Sequence, residues 1–223
     1  MMLNAGFFES DITPRIGVDL SGFGPHLNRR SEHIRDRLGA RVAVFETGGQ
    51  RLVLIACDLL GLRAETIDLV RAVVTERHPE VTESEIVVCS THTHSGPAVS
   101  LQNGWGRIDP VYLEILPYKI AVAVDGAMDR REPVEMSVAT VPCLGMGYNR
   151  IYEPGHPALA EALKSTWEPA KPELTDTETQ VVKFTDSQGT LKGFMAYFGC
   201  HPVVCCHQTH FIHGDYPGVA MHQ

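Results

Sequence analysis

Two histidines stand at alternate positions in the segment Ser90–Pro97, directly after an apolar run over residues 85–89. If the backbone is still extended there, the imidazoles of His92 and His94 point to the same side. A Gly-Pro pair then ends regular structure and turns the chain. Open α/β sheets build their sites where buried strands end before a loop, so this segment is a candidate functional site. Two partly buried polar residues at a strand end are the alternative interpretation.

A second predicted strand is also followed by a histidine in a turn. Residues 190–198 have the pattern of a strand, and His201 follows them directly before a proline. Neutral imidazole is a favoured zinc ligand, and the ligands of one ion often come from separate strand ends held by a rigid sheet. The repeated design therefore makes a metal site plausible. Further histidines follow at positions 207, 210 and 213, and solvated loop residues are their simpler interpretation.

The elements that must hold the first motif follow from the hydrophobic pattern. Residues 41–46 and 51–57 are apolar strands joined across a Gly-Gly turn, which predicts a hairpin whose second strand lies in the sheet interior. A helix over 64–78 and the strand 85–89 come next. This order predicts a βαβ unit with parallel strands and a right-handed crossover.

Asp58 follows the first strand of that unit, so it should lie at the same edge of the sheet as His92. A carboxylate at this place can accept the ring N–H of a metal-bound histidine and fix its tautomer. A cap on the loop or on the following helix is an equally good interpretation of Asp58.

The later elements complete an α/β fold class. We predict a mixed β-sheet with a βαβ unit and hairpins, with helices packed on the sheet and the site where strands 51–57 and 85–89 end. The loop over residues 98–108, which contains Trp105, is suited to lining a pocket. The other predicted elements are a helix over 109–129 with a bend or break near Pro117, a strand over 134–141, and a hairpin over 178–185 and 190–198.

Composition excludes several classes of function. The 223 residues are 43% hydrophobic and 21% charged, as in ordinary globular enzymes. The net charge of −8 argues against nucleic acid or an anionic membrane as the main partner. There is no apolar run of about 20 residues and no secretory pattern at the N-terminus, so we expect a cytoplasmic protein, or a secreted form if the N-terminus is incomplete. Six scattered cysteines favour free thiols over a disulfide framework.

Six segments occur in the order found in neutral/alkaline (non-lysosomal) ceramidases, and the chain resembles the N-terminal catalytic domain of that family over nearly its whole length. The string Thr91–Pro97 is the specific part of this resemblance, whereas each other segment alone is weak. No H-E-x-x-H, G-x-S-x-G or phosphate-loop pattern points to another enzyme class. The matching segments are Asp11–Pro14, Asp58–Leu60, Thr91–Pro97, Gly147–Arg150, Cys200–Pro202 and Gly214–Gly218.

The resemblance implies a single catalytic domain over residues 1–223 that is incomplete at its C-terminus. It implies a zinc-dependent amidohydrolase that cleaves the N-acyl linkage of ceramide, or of a related small-molecule or lipid amide. By matching motif, His92 and His201 would be zinc ligands. His94 and Arg150 would face the substrate and hold the scissile carbonyl or its oxyanion. For Arg150, pairing with a surface carboxylate is the alternative.

Amide chemistry agrees with these roles. Zinc would lower the pKa of its bound water to about 7 and polarise the carbonyl oxygen. The tetrahedral intermediate needs a cationic or N–H donor, which His94 or Arg150 could supply. The departing amine must also be protonated, and His94 is the nearest candidate for this step.

The matched motifs supply only two zinc ligands, whereas a catalytic zinc site usually has three and a water. In the family a glutamate and a tyrosine from much later in the chain complete the set. Within these residues, Asp215 or a histidine of the 207–213 segment could do so. Two other functions stay open, namely a non-catalytic metal-binding protein that uses the Cys/His cluster 200–213, and an inactive truncated family member.

Overall fold

Strands account for most of the regular structure in residues 2–24, 29–100, 105–151, 158–162 and 164–221, which this computed structural model describes. The strands are β1 (Leu3–Asp11), β2 (His33–Ile34), β3 (Gly39–Thr47), β4 (Gln50–Cys57), β5 (Ile86–Ser90), β6 (Glu132–Pro142), β7 (Glu178–Thr185), β8 (Leu191–Phe198) and β9 (Phe211–Ile212). The helices are α1 (Ala64–Arg77), α2 (Pro110–Asp129), α3 (Leu159–Ala162) and α4 (Asp215–Met221), with short 3₁₀ turns at Glu83–Glu85 and Pro172–Leu174.

The predicted fold class is confirmed. Seven strands form a mixed sheet in the order β5-β4-β3-β1-β6-β7-β8, and β2 pairs with β9 in parallel. The chain divides into two units, residues 1–133 with 202–223, and residues 134–201. Among the described residues, none of the helices has the length and apolar character that crossing a membrane requires.

The first unit contains the predicted hairpin and the predicted βαβ unit. β3 pairs antiparallel with β4, and Gly48 and Gly49 between them have φ values of +57° and +79°. Such a two-residue turn with positive φ matches the twist of the flanking strands, which is why a Gly-Gly pair specifies it. β4 and β5 are parallel, and α1 connects them. β1, which the sequence analysis missed, pairs antiparallel with the other side of β3.

The two long helices cover the core of the first unit. α1 buries Val70, Val73 and Val74 on one stripe, as its apolar spacing requires. α2 begins as predicted. Asp109 directly precedes the proline of the first turn, and its side chain accepts hydrogen bonds from two backbone N–H groups of the helix. It continues as one helix through Pro117, so the expected break is wrong. The ring of Pro117 is buried within the apolar face of α2, and that packing offsets the lost backbone hydrogen bond.

The second unit is antiparallel. β6 pairs with β7, and β7 pairs with β8 in the hairpin predicted for residues 178–198. Asp186 closes the turn of that hairpin, because its carboxylate accepts hydrogen bonds from the backbone N–H groups of Gln188 and Thr190. β8 ends at Phe198, shortly before His201.

Candidate metal centre

His92 and His94 lie in the loop after β5, and their rings are adjacent. The ring centroids are 5.1 Å apart, with 75° between the ring planes. His92 has a φ of +69°, in the left-handed region that residues other than glycine rarely adopt. The backbone is therefore not extended at His92, contrary to the expectation from the sequence. The rings meet through a tight turn that the His92 N–H fixes by donating to the carbonyl of Leu59, at 2.9 Å. Strained conformations of this kind cluster at functional sites.

His92 is oriented by a backbone carbonyl. Its Nδ1 lies 2.6 Å from the carbonyl oxygen of Leu60. Because a carbonyl oxygen can only accept, Nδ1 carries the proton, and Nε2 carries a lone pair rather than a proton in the neutral ring. Metal-binding histidines almost always have such a partner on the other nitrogen. His92 is therefore prepared to bind a metal ion through Nε2.

His94 has the opposite tautomer. It is buried, and its Nδ1 accepts a hydrogen bond from the backbone N–H of Phe23 at 3.1 Å. Nδ1 is therefore unprotonated, and the proton of the neutral ring sits on Nε2. The ring of Phe23 packs edge-on against the imidazole with centroids 4.9 Å apart. In this state His94 offers an N–H donor rather than a lone pair.

His201 is exposed and follows β8 in a Cys-His-Pro turn. Within the first unit, the unprotonated Nε2 of His92 is a nitrogen donor of the kind that a divalent metal such as zinc binds, whereas His94 presents an N–H.

Asp58 has neither of the two roles expected from the sequence. Its side chain is fully buried, and it accepts hydrogen bonds from the guanidinium of Arg41 at 2.8 and 2.9 Å. It also accepts from the Gly39 N–H at 2.9 Å and from the Thr91 hydroxyl at 3.1 Å. The residue at the start of α1 is Arg63, which makes no side-chain cap. Asp58 therefore joins β3 to the start of the histidine loop.

Replacing Asp58 with asparagine should destabilise the fold strongly. The Arg41 side chain is only 12% exposed, and the substitution removes its fully buried carboxylate partner and leaves only the more exposed Glu9, 3.2 Å away. Breaking a buried pair from one side costs about 3–5 kcal/mol of unfolding free energy, and because Glu9 remains, we expect a loss of about 3 kcal/mol or less. Urea unfolding of Asp58→Asn measures this loss. Glu161→Gln, which removes an exposed ion pair with Lys164, should cost no more than about 0.5 kcal/mol. Equal effects of the two substitutions would contradict the role of Asp58.

Asp215 and His213 are joined to each other and to the histidine loop by hydrogen bonds. The backbone N–H of Asp215 donates to Nδ1 of His213 at 3.1 Å, and the Asp215 carboxylate accepts from the N–H groups of Val204 and Tyr216. The His213 carbonyl accepts from the Thr93 hydroxyl at 2.9 Å. The Asp215 carboxylate is thus engaged by backbone N–H groups, and the expectation that Asp215 or a histidine of the 207–213 segment completes the ligand set stays a prediction.

His213 should make the stability of the protein depend on pH. Burial lowers the pKa of its imidazole below the ordinary value, and Nε2 has no hydrogen-bond partner in the part of the chain that the structure describes. Below about pH 6.5 the unfolded chain therefore binds a proton that the folded chain refuses, so stability falls by up to about 1.4 kcal/mol per pH unit. His213→Asn, which keeps an acceptor for Asp215, should remove this slope in urea unfolding between about pH 5 and 7. An unchanged slope would contradict the prediction, and His207→Asn at an exposed position is the control.

Arg150 is exposed, and the backbone before it is fixed. The Asn149 N–H donates to the Thr175 hydroxyl at 3.3 Å, and the Asn149 side chain donates to the Leu174 carbonyl at 3.1 Å. Within the described residues the structure gives Arg150 no hydrogen bond or ion pair, so the surface ion pair considered from the sequence is not formed there. Its guanidinium is therefore available to an anionic group.

His92 lies on the wall of a cleft of about 440 Å³. Trp105 also lines it, which confirms that the loop over residues 98–108 contributes to a pocket. The contributions of Leu60 and Phe23 could not be predicted from the sequence, because these residues act through backbone groups that no side-chain motif marks. The remaining lining residues are Leu60, Gly61, Leu62, Arg63 and Ser100.

Known proteins are similar to this chain in sequence and fold. The family model for "Neutral/alkaline non-lysosomal ceramidase, N-terminal" matches residues 4–223. The neutral ceramidase of Pseudomonas aeruginosa (strain PAO1) is 26% identical over an alignment of 230 positions, which covers 96% of this chain and 32% of that protein. A crystal structure of neutral ceramidase from Pseudomonas aeruginosa superposes with a TM-score of 0.83 at 23% identity, covering 99% of this chain and 35% of the other. A structure described as ceramidase complexed with C2 gives 0.82 at 22% identity, covering 99% and 34%. The chain thus spans about a third of the length of these relatives.

Proposed function

This chain belongs to the neutral/alkaline non-lysosomal ceramidase family, and from that premise we propose that it acts in zinc-dependent hydrolysis of the N-acyl linkage of ceramide or a related lipid amide. The observation that carries the proposal is the adjacent pair of imidazoles at His92 and His94, whose ring centroids are 5.1 Å apart, with the Leu60 carbonyl 2.6 Å from Nδ1 of His92. The relatives with matching sequence and fold are neutral ceramidases. Because the chain spans a third of their length, activity and substrate are proposals for the complete product of its gene.

We assign the metal to His92 and His201. His92 presents an unprotonated Nε2, because the Leu60 carbonyl holds the proton on Nδ1. His201 is exposed after β8, and we assign it as the second ligand because its Cys-His-Pro motif matches the family. When bound, zinc supplies a water of lowered pKa and a Lewis acid for the carbonyl.

His94 is proposed to stabilise the oxyanion through its Nε2–H. The Phe23 N–H occupies Nδ1, so the ring cannot take a second proton there without losing this hydrogen bond. A neutral imidazole that gave up its Nε2 proton would become an anion, which is unfavourable in a buried position. His94 therefore suits donation of a hydrogen bond better than protonation of the departing amine. Donors of this kind contribute through their fixed orientation.

Arg150 and the cleft are proposed to bind the substrate. The Arg150 guanidinium is permanently charged and exposed, so it can pair with developing negative charge on the carbonyl oxygen. Leu60, Leu62 and Trp105 give the cleft beside His92 apolar walls, which suits an acyl chain.

The test is turnover of a fluorescent N-acyl sphingosine by the complete gene product. We expect release of the fatty acid that stops when a chelator removes the metal and returns when zinc is added. His207→Ala, at an exposed position, should keep activity. A folded, zinc-loaded protein that hydrolyses neither this amide nor a shorter N-acyl amine would contradict the proposal.

A further inference from the structure

Arg29 is a buried cation without a carboxylate partner among the described residues. It is 3% exposed, and burial lowers the pKa of its guanidinium, although an arginine stays protonated at neutral pH. All of its hydrogen bonds go to backbone carbonyl oxygens. Burying a charge in this way is costly, and an apolar side chain of similar volume is often as stable or more stable. Stability alone therefore does not account for an arginine at this position.

The carbonyls that Arg29 binds belong to three segments around His94. They are the carbonyl oxygens of Ser21, of His94 itself and of Thr209, each 3.2 Å from the guanidinium. Thr209 is held in turn by a hydrogen bond from its N–H to the Cys206 carbonyl at 3.0 Å. The planar guanidinium, with donors in a fixed fork, can join three acceptors in a way that a lysine ammonium cannot.

Arg29 also supports the turn that sets the tautomer of His94. Its Cζ lies 4.9 Å from the ring centroid of Phe23, the residue whose N–H donates to Nδ1 of His94. Phe23 has a φ of +62°, a strained conformation that costs on the order of 1–3 kcal/mol and needs external support. Before it, Gly22 has a φ of +98°, and a Cβ there would lie 2.6 Å from the imidazole. The Gly22–Phe23 turn is thus in direct contact with the imidazole ring of His94.

We propose that Arg29 is a positioning residue that fixes the orientation and tautomer of His94 by clamping the Gly22–Phe23 turn against its imidazole. The importance of this for turnover rests on the proposed function, in which Nε2–H of His94 faces the oxyanion. Without the clamp, the strained turn relaxes and Nδ1 loses its donor. The ring then populates both neutral tautomers and rotates more freely.

The test compares Arg29→Met with Arg30→Met in the complete, zinc-loaded protein. Arg30 is the adjacent arginine; its side chain is 63% exposed, and it donates to the Gly17 carbonyl, away from His94. The first readout is the ¹⁵N NMR signature of the His94 ring nitrogens, which reports the tautomer whether or not the protein is active. We expect a single Nε2–H form in the wild type and in Arg30→Met, and a mixture in Arg29→Met.

The second readout is kinetic. We expect Arg29→Met to lower kcat about 10–100-fold with unchanged zinc content and KM, as loss of an orienting partner typically does. Arg29→Lys keeps the positive charge but not the planar arrangement of donors, and it should fold even if the methionine variant does not. It should show part of the change in His94 tautomer and part of the decrease in kcat. An unchanged His94 tautomer in the folded variants would overturn the proposal. A changed tautomer with unchanged turnover would support the clamp and instead contradict the proposed role of His94 in catalysis.

Discussion

The His92→Ala variant should lose its zinc and nearly all amide hydrolysis. The substitution removes the nitrogen whose lone pair the Leu60 carbonyl directs outward. A metal ion contributes several kcal/mol of transition-state stabilisation, so the rate should fall by about a thousand-fold or more. Metal content by mass spectrometry and turnover of an N-acyl sphingosine measure the two effects on the same sample.

The matched control for His92→Ala is the double substitution Cys205→Ala/Cys206→Ala. These cysteines belong to the Cys/His cluster 200–213 that the alternative closed thiolate site would use. The double variant should keep its zinc and its activity. If the cysteine variant lost the metal while His92→Ala kept it, the ion would belong to a closed thiolate site and the hydrolase assignment would be wrong.

His94→Ala should separate catalysis from metal binding. The variant loses the Nε2–H that we assign to the oxyanion, but it leaves the proposed ligands His92 and His201 in place. Removal of one such donor lowers kcat by about 10²–10³-fold, and zinc content should stay near that of the wild type. Steady-state kinetics and metal analysis of the same preparation check this result.

Two outcomes would contradict the role of His94. Loss of zinc in His94→Ala would make His94 a ligand, in spite of the hydrogen bond from Phe23 to its Nδ1. An unchanged kcat with normal zinc would remove it from catalysis. A His207→Ala variant, changed at an exposed position, controls for general effects of removing an imidazole.

The elements around the site could be predicted because their signals are local. The Gly-Gly pair at residues 48 and 49 specifies a hairpin turn by its positive φ values, and the apolar spacing of α1 defines its buried stripe. The edge of the sheet that carries Asp58 and His92 then follows from the parallel β4–α1–β5 unit.

The details of the site could not be predicted in the same way, because they depend on backbone groups from distant segments. Nothing in the sequence near His94 shows that the N–H of Phe23 reaches its Nδ1, since the two residues meet only after the chain folds. The left-handed φ of His92 likewise has no glycine to mark it. Arg41 lies close to Asp58 because of the register in which β3 pairs with β4. The register of the predicted hairpin was therefore the signal that could have identified this ion pair.

X-ray absorption at the zinc edge of the loaded protein tests the metal assignment most directly. We predict a first shell of nitrogen and oxygen at about 2.0–2.1 Å with the outer-shell scattering of imidazole rings. That scattering should weaken in both the His92→Ala and the His201→Ala variants. A sulfur shell at about 2.3 Å, or a spectrum that neither substitution changes, would contradict a site built on His92 and His201.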